Sequence, residues 1–425
     1  MPRRPRRRPA ALVLAGALAG ALAACSQAGP AQGPTSSDAA PSSTAATTTG
    51  SSPSTSPPTE SSSPSSSPTT GASCVERTGE AMSADQRLGQ LVMVGLDTGA
   101  APGSLDSAVT REHVGNVIYL GGWEGAQRVT STSEHLQGLV SDDATGGVGL
   151  LVAADQEGGE VRQLRGAGFT APPSATEQAQ MSHSALTRAA AGWARELRAA
   201  GVNVNLAPVA DTVPASLGTA NGPIGQYHRE YGSDPETVSA AVQAVVTGML
   251  DGGVEPTVKH FPGLGRIRSN TDVSATGITD DTTTAHDPYL QPFADGIRAG
   301  ARIVMVGSAL YSRIDPGVPA MFSSRVVTDI LRGDLGFDGV VITDDVAAAA
   351  VAATPVQQRA VKVVAAGGDI VLTGDPSAVP ELLAALEARS RTDADFAARV
   401  DDAVERVLTL KDRMGLLPCS TSGDG

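Results

Sequence analysis

Near the middle of this 425-residue chain, Thr257-Val258-Lys259-His260-Phe261-Pro262-Gly263 carries a short β-branched approach into a Lys-His pair. The Phe-Pro-Gly that follows ends a strand, because proline removes a backbone donor and glycine permits a sharp turn. Two polar side chains are thereby delivered to one strand end; a surface strand with a chance Lys and His is the plain alternative. The pattern recurs. One apolar run ends in Asp155-Gln156-Glu157-Gly158-Gly159, another leads into Val209-Ala210-Asp211, and a third ends Thr343-Asp344-Asp345. Any one of these carboxylates serves equally as a helix cap or a rim charge. Gathered at one mouth, they repel one another unless a ligand or cation offsets the charge. Carboxylates beside a Lys and a His suit sugar chemistry: bidentate acceptors and charged donors match multiple hydroxyls, and a pair of acids cleaves a glycosidic bond. The six histidines include no H-x-H or H-E-x-x-H spacing, which speaks against a metal-dependent hydrolase; no metal and no other cofactor is expected.

The elements that must bring these groups together are eight short β-branched or apolar runs, at 91–96, 114–120, 149–155, 202–208, 256–261, 302–307, 339–344 and 368–374. Amphipathic helical patterns alternate with them, among others at 185–200, 235–252, 289–300, 324–332, 356–366 and 379–388, and a last one spans 393–414. Nearly continuous apolar strands, each followed by a helix, predict parallel pairing with both faces covered. The chain is therefore expected in the α/β class as a single (β/α)8 barrel of the TIM type, with a doubly wound open sheet as the alternative of equal periodicity. Gly201, Gly253, Gly300 and Gly367 stand between helix and next strand, as left-handed C-terminal caps do. In such a barrel the reacting groups occupy the C-terminal strand ends.

Ahead of the barrel, residues 1–24 read as a signal peptide, with Arg3, Arg4, Arg6, Arg7 and Arg8 followed by an Ala- and Leu-rich stretch. Its end, Leu22-Ala23-Ala24-Cys25, resembles the lipobox of bacterial lipoproteins, so Cys25 is expected to be lipid-modified; an ordinary cleavage site with an incidental Cys is the alternative. Residues 25–73 are Ser, Thr and Pro with almost nothing apolar, and read as a disordered tether. Cys74 and Cys419 bracket the folded stretch 74–420; an exported compartment permits disulfides, and the two are expected to pair rather than remain free thiols. The formal net charge is -14, and removal of the five amino-terminal arginines makes it more negative, which excludes nucleic acid as a partner. The expected location is extracytoplasmic, tethered to the membrane through Cys25, as a monomer.

Five ordered segments carry a family resemblance: Asp155-Gln156-Glu157-Gly158-Gly159, Asn205-Leu206-Ala207-Pro208-Val209-Ala210-Asp211, Arg229-Glu230-Tyr231-Gly232-Ser233-Asp234-Pro235, Lys259-His260-Phe261-Pro262-Gly263, and the run from Leu335 to Asp345. Together they closely resemble glycoside hydrolase family 3, in its single-domain β-N-acetylglucosaminidase branch. The lipobox, tether and flanking cysteines resemble actinobacterial lipoprotein members of that branch. The resemblance implies that Asp344 is the nucleophile, forming a covalent glycosyl-enzyme with retention overall. It implies that Asp155 takes sugar hydroxyls in bidentate fashion, that Arg229, Lys259 and His260 fix the remaining hydroxyls, and that Asp211 lies near the same pocket. Asp345 is then a neighbouring cap or ion-pair partner.

One motif departs from the branch. Its usual Lys-His-Phe-Pro-Gly-His-Gly is followed, on a mobile loop, by Asp-Ser-His, whose His is the general acid/base. Here Leu264 replaces the second His, the triplet reads Asn270-Thr271-Asp272, and no histidine lies between His260 and His286. The simplest repair puts the Asp272 carboxyl in the imidazole's place with Asn270 as orienting amide, provided that burial under a closed loop keeps the carboxyl protonated. A carboxylate there repels an incoming phosphate, so hydrolysis is expected rather than phosphorolysis. Arg266 and Arg268 either meet an anionic aglycone such as a muramyl carboxylate or are solvated loop charges. The expected function is an exported, retaining glycosidase that removes terminal β-linked N-acetylglucosamine from muropeptide or related glycans. The alternatives are a sugar-binding lipoprotein that has lost catalysis, and an enzyme for β-glucosides.

Overall fold

The computed structural model describes residues 72–101 and 103–419; the expected signal peptide, the Cys25 lipid site and nearly all of the tether lie outside them. Eight parallel strands form one sheet: β1 (Val92–Asp97), β2 (Asn116–Leu120), β3 (Leu151–Ala154), β4 (Val204–Asn205), β5 (Glu255–Phe261), β6 (Ile303–Val306), β7 (Val340–Thr343) and β8 (Val371–Thr373). Neighbours in space are neighbours in sequence from β1 to β7, with β8 beside β1. The sheet closes where Ile342 bridges Ile370, the Thr343 N–H donating to Ile370 O at 3.0 Å. Closure decides for the barrel against the open sheet. The strands carry no polar alternation because both faces are covered: Val94, Val117, Val152, Val258, Val304 and Val371 are all fully buried.

The outer helices follow the amphipathic patterns, including His183–Ala199, Pro235–Asp251, Gln291–Arg298, Val356–Ala365, Val379–Thr392 and Ala394–Arg413. Their starts are capped by short polar side chains: Ser182 accepts from Ala185 N–H, and Asp234 accepts from Thr237 N–H with Pro235 in the first turn. Gly201 and Gly253 end their helices at φ 79° and 80°, a region that side chains with a Cβ rarely adopt. The segment Arg325–Asp334, expected as an ordinary helix, is wound with wider π turns, as in the Leu335 N–H to Ile330 O bond of 2.9 Å. The helix Ala126–Gly138, which the sequence reading does not single out, is rich in Ser and Thr; it is held by burial of Val129, Ser133 and Leu136 rather than by intrinsic propensity.

Cys74 and Cys419 are joined in a disulfide, as expected. It ties the helix Cys74–Ala81 to the chain just beyond Ala394–Arg413. The N-terminal barrel face is structural. There Lys411, fully buried, donates to Gln90 Oε1 (2.6 Å) and Gly115 O (2.9 Å), while Asp369 pairs with Arg332 and Arg406. The chemistry lies at the other end.

Candidate active site

At the C-terminal strand ends lies a cavity of about 490 Å³ whose lining includes Asp155, Arg229, Lys259, His260, Asp272 and Asp344. Strand β5 delivers two of these from adjacent positions, which a regular strand would point to opposite faces. Pairing with β6 is irregular at this point: Val258 stands opposite Val304 and Phe261 opposite Val306, so β5 carries an extra residue. A bulge of this kind re-aims a side chain, and Lys259 and His260 both line the cavity.

Lys259, 2 % exposed, places Nζ 2.5 Å from Asp155 Oδ1 and 2.7 Å from Glu157 Oε1. Arg229 forks onto the same Glu157, Nε to Oε2 at 2.8 Å and Nη2 to Oε1 at 2.7 Å, and its Nη1 donates to Pro223 O. Burial pushes the Glu157 pKa up, but the Arg229 and Lys259 cations outweigh it and hold the carboxyl well below the usual range. The same carboxylates keep Lys259 charged, raising its pKa against the opposing effect of burial. The floor is thus an interlocked set of charges that leaves Asp155 facing the cavity. Glu157 does not line the cavity, and the sequence reading, which quotes it inside a motif, assigns it no role.

Asp211, expected beside substrate, stands instead behind the wall, fully buried. Its Oδ2 is 2.7 Å from His260 Nδ1, and its Oδ1 accepts from Leu264 N–H at 2.7 Å. All of its capacity goes to fixing the imidazole and the start of the following loop. His260 Nε2 lies 3.4 Å from Arg229 Nη2; because guanidinium only donates, the partners assign the proton to Nδ1 and leave Nε2 an acceptor.

Across the cavity, Asp344 follows β7, its N–H donating to Val306 O and its Oδ1 accepting from Asp345 N–H at 2.9 Å. Burial and the repulsion of Asp272 push its pKa up to about 6, against the Asp345 N–H bond and the pull of the Lys259 cation. Asp345 is a loop brace, taking N–H bonds from Ala347 and Gly374. Asp272 reaches the cavity on the loop after β5. Asn270 Oδ1 accepts from Asp272 N–H at 2.9 Å, and the carbonyls of Thr271 and Asp272 accept from Ala350 and Ala349 N–H, which docks the loop on the segment beyond β7. Asn270, expected to orient the Asp272 carboxyl, bonds instead to the Asp272 backbone N–H. The burial expected of Asp272 is absent: its side chain is exposed, because the protein covers the loop's backbone and leaves the carboxyl facing the cavity mouth. Leu264 is buried in the wall where the departing motif lacks its histidine. Arg266 is committed elsewhere, to Thr283, to Asp287 at 2.8 Å and to the face of Tyr289, and neither it nor Arg268 lines the cavity.

The profile of the glycosyl hydrolase family 3 N terminal domain matches residues 83–410. The chain belongs to glycoside hydrolase family 3. A solved structure, that of a β-N-acetylhexosaminidase from Beutenbergia cavernae DSM 12333, is 50 % identical with a TM-score of 0.76, covering 78 % of this chain and 98 % of that one. A β-N-acetylglucosaminidase from Paenibacillus sp. str. FPU-7 is 32 % identical with a TM-score of 0.69, over 79 % of this chain and 63 % of its own. In sequence, a β-hexosaminidase of Stenotrophomonas maltophilia (strain K279a) is 40 % identical over 255 residues, which is 57 % of this chain and 72 % of the relative. This family 3 member is accordingly a glycoside hydrolase, and its barrel mouth is the place for that chemistry.

The buried charges of this family 3 site carry a stability prediction. Glu157→Gln removes the anion shared by Lys259 and Arg229 while keeping the shape. Breaking a buried pair from one side costs about 3–5 kcal/mol, because the partner charge stays buried. Urea unfolding of Glu157→Gln is expected to show a loss of about 3 kcal/mol at neutral pH; a loss under about 1 kcal/mol would mean that Asp155 alone balances the floor.

Proposed function

We propose that the chain is a retaining exo-β-N-acetylglucosaminidase, exported and held at the membrane through a lipid on Cys25, that releases terminal N-acetylglucosamine from cell-wall glycan fragments. The observation that carries this reading is the presence of Asp344 and Asp272 in one cavity above a floor of Asp155, Lys259, Arg229 and His260. In the proposed mechanism the floor holds the hydroxyls of the terminal sugar: Asp155 accepts two, Arg229 and Lys259 donate, and His260 Nε2 accepts, its ring fixed by Asp211. Asp344, ionised above pH about 6, attacks the anomeric carbon as the glycosidic bond breaks. Once a bound glycoside covers its exposed carboxyl, Asp272 takes up a proton and gives it to the departing oxygen, then takes one from the water that hydrolyses the glycosyl-enzyme, so configuration is retained. The names of the relatives support the sugar, and the amino-terminal sequence supports export and anchoring.

The test is turnover of an aryl β-N-acetylglucosaminide and of an unactivated N-acetylglucosamine disaccharide by the purified protein, with the anomer of the released sugar read by NMR. Cleavage of both with first release of the β-anomer is expected. Binding of N-acetylglucosamine without cleavage of either substrate would replace this reading with that of a sugar-binding lipoprotein, and preference for the aryl β-glucoside would replace the sugar.

A further inference from the structure

Among the described residues no hydrogen bond holds the Asp272 carboxyl itself, so its place is set by the backbone of the loop that carries it. That loop is fastened at two points. Its tip docks on the segment beyond β7 through Ala349 and Ala350 N–H. Its base is fastened by a fully buried side chain from the neighbouring loop after β4, Asn221. Asn221 Nδ2 donates to Leu264 O at 2.8 Å and to Ile267 O at 2.7 Å, while its Oδ1 accepts from Ile224 N–H at 2.9 Å and Gly225 N–H at 2.8 Å. A carboxamide has two N–H donors and two acceptor lone pairs, so all of its capacity is spent, half on each loop. The next residue closes the seam: Gly222 N–H donates to Arg268 O, and a Cβ at Gly222 would stand 2.6 Å from that oxygen and 3.2 Å from Asn270 N. Glycine is needed there for the close approach of two backbones.

The two loops carry different parts of the site. The Asn221 loop leads to Arg229, whose N–H donates to Ile224 O and whose guanidinium grips Glu157 on the buried floor. The loop after β5 carries Asp272. Asn221 thus ties an exposed carboxyl, with no side-chain bond of its own, to the most firmly held part of the cavity. We propose that Asn221 is a positioning residue for the acid/base: by clamping the base of the Asp272 loop to the Arg229 loop, it fixes where that carboxyl stands over the glycosidic oxygen. The inference rests on the reading of Asp272 as acid/base. Misplacement by about 1 Å costs a proton transfer about 10²-fold. Attack by Asp344 is outside the clamp, since that residue is held by Val306 O and Asp345 N–H and touches neither loop's seam.

The experiment compares kcat/KM for the N-acetylglucosamine β-1,4-disaccharide with kcat/KM for an aryl β-N-acetylglucosaminide in wild type, Asn221→Ala, Gly222→Ala and Asp272→Asn, and follows amide hydrogen exchange over residues 268–277. Asn221→Ala removes the clamp; Gly222→Ala keeps it and pushes Arg268 O away. In both, the disaccharide-to-aryl ratio is expected to fall about thirtyfold while the aryl value stays within about threefold, and the loop is expected to exchange faster. Parallel loss of both substrates would place Asn221 in the service of Arg229 and the terminal sugar, and a ratio within about threefold of wild type would mean that the loop needs no clamp; either result overturns the proposal. Should Asn221→Ala fail to fold, Gly222→Ala decides alone. If Asp272→Asn itself leaves the ratio unchanged, the reading of Asp272 as acid/base is what fails. The exchange rates then decide for the clamp if they rise in the two loop variants and against it if they do not.

Discussion

Asp344→Asn is expected to abolish turnover of both the aryl glycoside and the disaccharide, with kcat reduced by about 10⁴-fold or more. The amide keeps the size of the side chain and can still accept from Asp345 N–H, so the fold has no reason to change. What it lacks is a charged oxygen able to form the glycosyl ester, and two other carboxylates of the cavity are held in place: Asp345 by the Ala347 and Gly374 N–H groups, and Asp155 by Lys259. The wild type supplies a companion measurement. A nucleophile whose pKa is pushed up to about 6 is protonated below that pH, so kcat/KM falls with acidity on a limb near pH 6. Residual disaccharide turnover in Asp344→Asn within a hundredfold of wild type would sink the assignment.

Much of this was legible in the residues. The eight barrel strands sit where short apolar runs meet Gly, Pro or a carboxylate, because a strand covered on both faces needs no polar alternation. Asp155, Lys259, His260 and Asp344 announce themselves as polar residues at the ends of such runs, and all four line one cavity. What stayed hidden depends on geometry that sequence separation conceals. Glu157 is bound to Arg229, 72 residues away, and only the folded barrel shows that its carboxylate faces two cations rather than solvent. Asp211 has the residue type of a ligand for sugar but the position of a support, since His260 on β5 and Leu264 on the loop after it consume it. The bulge that turns both Lys259 and His260 inward lies in the register between β5 and β6, which neither strand states alone. Asn221 lies in no motif at all.

Asp272→Asn separates protonation of the leaving group from everything else. An aryl oxygen leaves nearly without help, whereas a sugar oxygen needs a proton, so kcat/KM for the disaccharide is expected to fall by about 10²–10⁴-fold while that for the aryl substrate stays within a few fold. For the aryl substrate kcat should still fall together with KM, because the glycosyl-enzyme forms normally and then waits for a water that has lost its base. A purely structural role for the Asp272 loop would lower both substrates alike. The pH profile gives a second, independent sign. Asp272 is one of the charges that push the Asp344 pKa up; its removal favours the ionised nucleophile, and the acidic limb for the aryl substrate should move below that of wild type. In phosphate buffer the wild type should form no sugar 1-phosphate. Any dianion approaching the glycosyl-enzyme meets Asp272 on the docked loop, and Arg266 on that loop is already held by Asp287. Sugar 1-phosphate that appears in wild type and grows in Asp272→Asn would identify a phosphorolytic route held back by that carboxylate; its complete absence in both would leave water as the sole acceptor the site is built to use.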